Sequence, residues 1–205
     1  IGYARTGLLP SREWKRAARN EPWYPGDTIN ASIGQGDMWA TPLQLATATS
    51  IVANKGKVVP PRLLKAIDGE AFNPVIENPI PDVMVNDPDY WRYIEESMTM
   101  VVHRPYSKTF RDYGTAYEAI AQKDRDMSYK MAGKSGTAQV VGISQEILSS
   151  TDIVVSDLNQ DHGLFISFAP AQNEFIEPQI AIAVFVENGL HGSSVAGPIA
   201  KAVTD

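Results

Sequence analysis

Lys134-Ser135-Gly136-Thr137 is the stretch of this sequence whose residue types and spacing could do chemistry. A Lys, a hydroxyl, a Gly and a second hydroxyl arise together by chance in such a chain about one time in a hundred at average residue usage. The spacing is therefore suggestive, and its physical logic has to carry the reading. On a strand, Lys134 and Gly136 project to one face while Ser135 and Thr137 project to the other. A cleft-facing Lys134 would stabilise anions and deprotonated hydroxyls. Gly136, without a side chain, would let a substrate approach the backbone. The Thr137 N–H could then serve as an oxyanion donor on a strand edge to which an extended peptide could add. A surface strand with a solvated Lys and a bulge at Gly satisfies the same four residues.

Other groups carry weaker signals. His103, His162 and His191 are scattered singly, without the i, i+4 spacing of a metal-binding helix. Asp161-His162 could form a ligand pair, but a hydrogen-bonded loop is the better reading. Gly34-Gln35-Gly36 lacks the third Gly and preceding strand of a dinucleotide loop, and is expected to be a tight turn. Gly114-Thr115-Ala116 is expected to form a turn near the rim of a cleft. No metal and no organic cofactor is called for by these residues.

The elements that would position the tetrapeptide follow from periodicity and turn chemistry. A short helix is expected after Ser11, whose hydroxyl can cap it. Up to residue 37, Pro25-Gly26-Asp27 and its neighbours read as turns. A helix begins after Thr41, with Pro42 at its first position and Gln44 completing a capping box, and ends at Asn54 and Gly56. Five prolines between Gly56 and Asn86 forbid long regular structure, leaving Val58-Val59 and Arg62-Leu63-Leu64 as short edge strands. A second helix opens at Asp87-Pro88, presents Trp91, Ile94, Met98 and Val101 as a packing stripe, and closes at Pro105. Residues 106–127 give no clear pattern. Strands are expected at Tyr129–Gly142, Leu164–Ala169 and Gln179–Glu187, the last two joined as an antiparallel hairpin. A long polar loop should occupy 143–162, and a final helix Ala196–Val203. Both faces of the last strand are apolar, so helices should cover both sides of an antiparallel sheet, an α/β arrangement of the α+β type.

Bulk properties bound the function. The 205 residues are 43% hydrophobic and 20% charged, as in a globular protein with a sizeable core. A formal charge of −6 argues against a nucleic-acid surface. The basic run Arg12 to Arg19 is broken by Glu13 and Trp14, and reads as a solvated helix face. Without cysteine there is no disulfide, thiolate site or cysteine nucleophile. No apolar stretch is long enough to cross a bilayer, so any membrane tether is expected outside the chain.

Several blocks together resemble the class B penicillin-binding proteins, most closely the elongation-specific type called penicillin-binding protein 2. These are Arg5 to Lys15, Trp23 to Thr28, Ile33 to Gly36 with Thr41 to Gln44, Gly114 to Ala116, Ala132 to Gln139, Phe168 to Pro170 and Val186 to Gly189. They occur in the family's order and span nearly the whole chain, whereas 57–112 and 143–162 match only loosely. The resemblance implies a penicillin-binding transpeptidase or serine β-lactamase-like fold built around Ser-x-x-Lys, Ser-x-Asn and Lys-[Ser/Thr]-Gly motifs. It implies that Lys134, Ser135 and Gly136 form the third motif, with the Thr137 N–H as half of the oxyanion hole. The hydroxyls of Ser135 and Thr137 would bind the carboxylate of a substrate peptide or β-lactam; strand twist decides which reaches it. Ala138 and Gln139 would continue the strand edge along the acyl chain.

No Ser or Thr in the chain has Lys three residues later, and no Ser-x-Asn occurs. The nucleophile and middle motif are therefore expected upstream of Ile1, making residues 1–205 the C-terminal portion of one transpeptidase domain, inactive alone. The resemblance further implies stem-peptide cross-linking during cell elongation on the periplasmic face of the bacterial inner membrane. Expected partners are peptidoglycan stem peptides, β-lactams, a lipid-linked glycan polymerase with other elongation proteins, and the N-terminal piece of the same protein. A penicillin-recognising sensor shares the motif set, but the Arg5 to Lys15 and Trp23 to Thr28 blocks favour the synthase. The intact Lys134-Ser135-Gly136-Thr137 speaks against a non-catalytic scaffold with decayed upstream motifs.

Overall fold

A computed structural model describes residues 5–72, 79–109, 112–139 and 160–205. Two compact units divide at Leu45, the first Ile1–Leu45 and the second Ala46–Asp205.

The first unit holds helices α1 (Arg12–Arg19) and α2 (Pro25–Ser32). Ser11 caps α1 as expected, accepting from the Trp14 N–H at 3.1 Å. Most of α1's charged residues face solvent, but Lys15 is only 6% exposed. Its ammonium donates to Asp27 at 2.6 Å and lies 4.7 Å from the Tyr24 ring centre. That hydrogen bond holds Lys15 above its ordinary pKa and Asp27 below its own. The Pro25-Gly26-Asp27 stretch, expected as a turn, instead starts α2. Pro25 takes the first helical position, and Asp27 reaches back to the Tyr24 N–H at 2.7 Å. A tight turn does follow, with Gly34 and Gly36 both at positive φ.

Helix α3 (Pro42–Ala53) begins with the expected capping box: Thr41 N–H donates to Gln44 Oε1 at 2.8 Å, and Gln44 N–H to Thr41 Oγ1 at 3.2 Å. Val58-Val59 and Arg62-Leu64 are not strands, because the prolines at 60 and 61 cannot donate to a ladder. The pairing there is a two-residue hairpin of β1 (Ala66–Ile67) with β2 (Glu70–Ala71).

Helix α4 (Asp89–His103) starts two residues later than Asp87, and of its expected stripe Met98 and Val101 pack on the core and Trp91 is half-buried. Thr99 and Val102 are its buried residues, whereas Ile94 is 39% exposed. Thr99 can be buried because its hydroxyl donates to the Glu95 carbonyl at 2.8 Å.

Strands β3 (Ala132–Ala138), β4 (His162–Ala169) and β5 (Ile180–Val186) form an antiparallel sheet in that order. The β4–β5 hairpin is as expected. The first strand begins at Ala132 rather than Tyr129, whose hydroxyl donates to Asp205 at 2.7 Å, and residues 140–142 of the expected strand lie outside the described residues. The expected loop 143–162 falls outside the described residues except at its end, where β4 already begins at His162.

Helix α5 (Gly192–Thr204) begins four residues before Ala196. Its residues Val195, Ala196 and Ala200 cover the sheet face that carries Phe165, Ile182, Val184 and Val186. On the opposite face Met98 of α4 and Val52 and Ala53 of α3 close over Ala132, Phe168 and Ala181. Both faces are thus helix-covered at that end, as the apolar alternation of β5 requires.

Candidate active site

The tetrapeptide lies in the middle of β3, an outer strand that pairs only with β4 among the described residues. Alternate residues of such a strand send N–H and C=O groups outward, leaving a row open to an added strand. Register fixes the faces. Ser135 pairs with Phe165 and Thr137 with Gly163, which place both hydroxyl residues on the α5 side. Lys134 pairs with Ile166 and Gly136 with Leu164, on the other face. Lys134 is exposed, and its ammonium donates to the Ser135 carbonyl at 2.5 Å. Thr137 and Gln139 are exposed; Ser135, Gly136 and Ala138 are half-buried. Ala138 is the last residue of the strand, so Gln139 lies just beyond it.

Packing does not demand glycine at 136. A Cβ there would meet the Leu164 Cβ at 3.4 Å, an ordinary contact. At Gly133 a Cβ would sit 2.6 Å from the Phe165 ring, so the fold itself excludes one. Among the described residues a Cβ at Gly136 would meet only that Leu164 atom within 4 Å.

The Gly114-Thr115-Ala116 turn was expected near the cleft rim, but neither Thr115 nor Gly192 was given a role in the site by sequence. Thr115 Oγ1 lies 3.4 Å from Ser135 Oγ, bringing the Gly114-Thr115-Ala116 turn to the tetrapeptide. Gly192 opens α5 directly behind it: a Cβ there would overlap the Leu164 carbonyl oxygen and lie 2.6 Å from that of Gly136. A turn and a glycine were legible at these positions, but contacts across such sequence separations have no local signal.

His162 pairs with Ala138 at the end of the tetrapeptide's strand and His191 precedes Gly192, whereas His103 sits on α4. His103 Nε2 accepts the Met131 N–H at 3.0 Å, supporting the lead-in to β3. Burial first, then the Lys130 charge, holds its imidazole below the ordinary value. His162 Nδ1 accepts the Asn188 N–H at 2.9 Å, and its ring meets Phe185 edge-on at 4.8 Å, so it is the hydrogen-bonded residue expected. Among the described residues no group of three His, Asp or Glu could hold a metal, and no helix is long and apolar enough to cross a membrane. Two clefts of about 530 and 590 Å³ flank His103 and Lys130, and the tetrapeptide lines neither.

An outer strand with a cation, a bare backbone position and two hydroxyls can receive an extended peptide and hold its carboxylate. It offers no activated nucleophile.

Comparison with known proteins shows the family and the fold. Residues 5–205 match the family described as "Penicillin binding protein transpeptidase domain". Peptidoglycan D,D-transpeptidase MrdA of Haemophilus influenzae is 39% identical over 199 residues, covering 96% of this chain and 28% of that protein. Penicillin-binding protein PBP2 of Pseudomonas aeruginosa, solved in complex with WCK 5153, superposes with a TM-score of 0.75 at 45% identity. That match covers 97% of this chain and 37% of the other. PBP2 of Helicobacter pylori, solved in a complex with MreC, gives a TM-score of 0.69 at 27% identity, covering 98% of this chain and 31% of that one. The chain thus spans less than a third of the length of the curated relative it matches.

Proposed function

The chain belongs to the penicillin-binding protein transpeptidase family, and from that premise we propose that it is the C-terminal portion of the catalytic domain of a peptidoglycan D,D-transpeptidase of the elongation type. In the whole protein a serine upstream of Ile1 attacks the penultimate D-Ala carbonyl of a stem peptide. The C–N bond breaks, terminal D-Ala leaves with a proton, and an acyl-enzyme ester forms. An amine of a neighbouring peptide then attacks the ester, forming the cross-link and returning the proton to the serine. β-Lactams acylate the same serine.

Residues 134–137 form the wall opposite that nucleophile. Lys134 supplies positive potential, and the Thr137 N–H is one oxyanion donor. The hydroxyls of Ser135 and Thr137 receive the substrate or β-lactam carboxylate, and Ala138 and Gln139 extend the edge along the acyl chain. The observation that carries the reading is a family match along nearly the full chain together with this tetrapeptide on an open strand edge. In this reading the protein works at the periplasmic face of the inner membrane, anchored upstream, with a lipid-linked glycan polymerase. The MreC complex of the Helicobacter relative supports elongation-machinery partners.

Intact-mass measurement of the full-length protein with a labelled penicillin tests this. One drug mass is expected, mapping to a serine upstream of residue 1, and Lys134→Ala should slow labelling by about a hundredfold or more. Labelling of a serine within residues 1–205 would overturn the division of the motifs.

A further inference from the structure

Thr115 lies on a turn fixed from both sides. The Gly114 N–H donates to the Arg104 carbonyl and the Ala116 N–H to the Val101 carbonyl, each at 2.9 Å. Gly114 sits so close to the carbonyls of Met100 and Val101 that any Cβ would overlap them, and Ala116 is fully buried. Between these two anchored positions Thr115 is exposed, with its hydroxyl beside that of Ser135. An exposed Thr contributes little to the core, yet the backbone that presents it is rigidly placed.

A serine hydroxyl has one proton and can donate it to only one partner at a time. To serve an anion, Ser135 must point that proton outward, and a donor at its oxygen enforces this. We infer that Thr115 is a positioning residue for carboxylate recognition: its hydroxyl donates to Ser135 Oγ, leaving the Ser135 proton for the carboxylate of the peptide or β-lactam. The separation of 3.4 Å exceeds the about 2.7–2.8 Å of a well-formed O–H···O bond. Donation from Ser135 to an anion makes its oxygen a better acceptor, so the contact tightens when the carboxylate binds. The inference rests on the transpeptidase reading above.

Acylation kinetics of the full-length protein with a fluorescent penicillin and with its methyl ester, which lacks the free carboxylate, test it. Thr115→Val should raise the concentration giving half-maximal acylation rate about tenfold, with the limiting rate within about twofold. Thr115→Ser should restore the wild-type value, and the ester should react alike with all three proteins. Equal losses for acid and ester, or a Ser variant as impaired as Val, overturn the inference and leave the transpeptidase reading standing. Melting temperatures distinguish misfolding: a Val variant that melts like wild type and binds the acid unchanged also overturns it. A wild-type protein that neither penicillin acid nor ester acylates overturns the transpeptidase reading, and the inference with it.

Discussion

Gly133 and Gly136 stand on one strand, yet the fold requires only the first. Gly133→Ala drives a methyl into the Phe165 ring and should cost about 1–3 kcal/mol in denaturant unfolding. Gly136→Ala should leave the unfolding midpoint almost unchanged while slowing penicillin acylation at least about tenfold, because its methyl obstructs the open side. If both variants lose the same stability, the proposed role of Gly136 in substrate approach fails. Ser167 is fully buried, and its hydroxyl has no hydrogen-bond partner among the described residues. Ser167→Ala should therefore be neutral or stabilise by up to ~1 kcal/mol. His103 gives the acid limb. Unfolded, its imidazole takes a proton as pH falls through about 6.5; folded, burial and Lys130 resist that proton. The unfolded state then binds more protons, so stability should fall as pH drops below about 6.5 and level off only below the folded value. Urea titrations between pH 7.5 and 5 measure this, and His103→Gln should flatten that part of the profile.

At the scale of elements, helix starts were legible where side chains cap locally. Ser11 and the Thr41–Gln44 box sit where the sequence placed them. Thr41→Ala should cost about 0.5–2 kcal/mol. The α2 start was misread because Pro-Gly-Asp serves a turn and a first helical turn equally well, and only the Asp27 bond to the Tyr24 N–H decides. The early start of α5 was illegible for a different reason. Gly192-Ser193-Ser194 are poor helix formers, and their helical state rests on Gly192 fitting against the Leu164 and Gly136 carbonyls. Gly192→Ala should push α5 off β3 and β4, lowering the melting temperature and slowing acylation together. Normal acylation in such a variant would separate α5 from the placement of the tetrapeptide.

For the molecule as a whole, the sheet pairs β5 on one side only among the described residues, and Phe185 on that strand is 40% exposed. In the first unit Leu9, Ile29, Ile33 and Trp39 are each more than 60% exposed. Apolar surface and an open strand edge of this kind call for a cover, and the proposed upstream part of the same domain supplies one. Residues 1–205 alone should bind a hydrophobic dye and self-associate, whereas the full-length protein should not. A monomeric, cooperatively melting sample of these residues would count against that completion.

The sequence alone determined the family resemblance, the strand carrying Lys134 to Thr137, the β4–β5 hairpin, the capped helix starts and the absence of a Ser-x-x-Lys nucleophile. Each rests on interactions within a few residues or on the order of residue types along the chain, and both can be read without knowing which distant residues meet. Tertiary structure decided the rest: the burial of Thr99 and Val102 beside the expected stripe of α4, the burial of Lys15, the seating of α5 on Gly192, and the meeting of Thr115 with Ser135. These depend on which distant carbonyls, rings and hydroxyls the fold brings together, and no spacing along the chain encodes that distance.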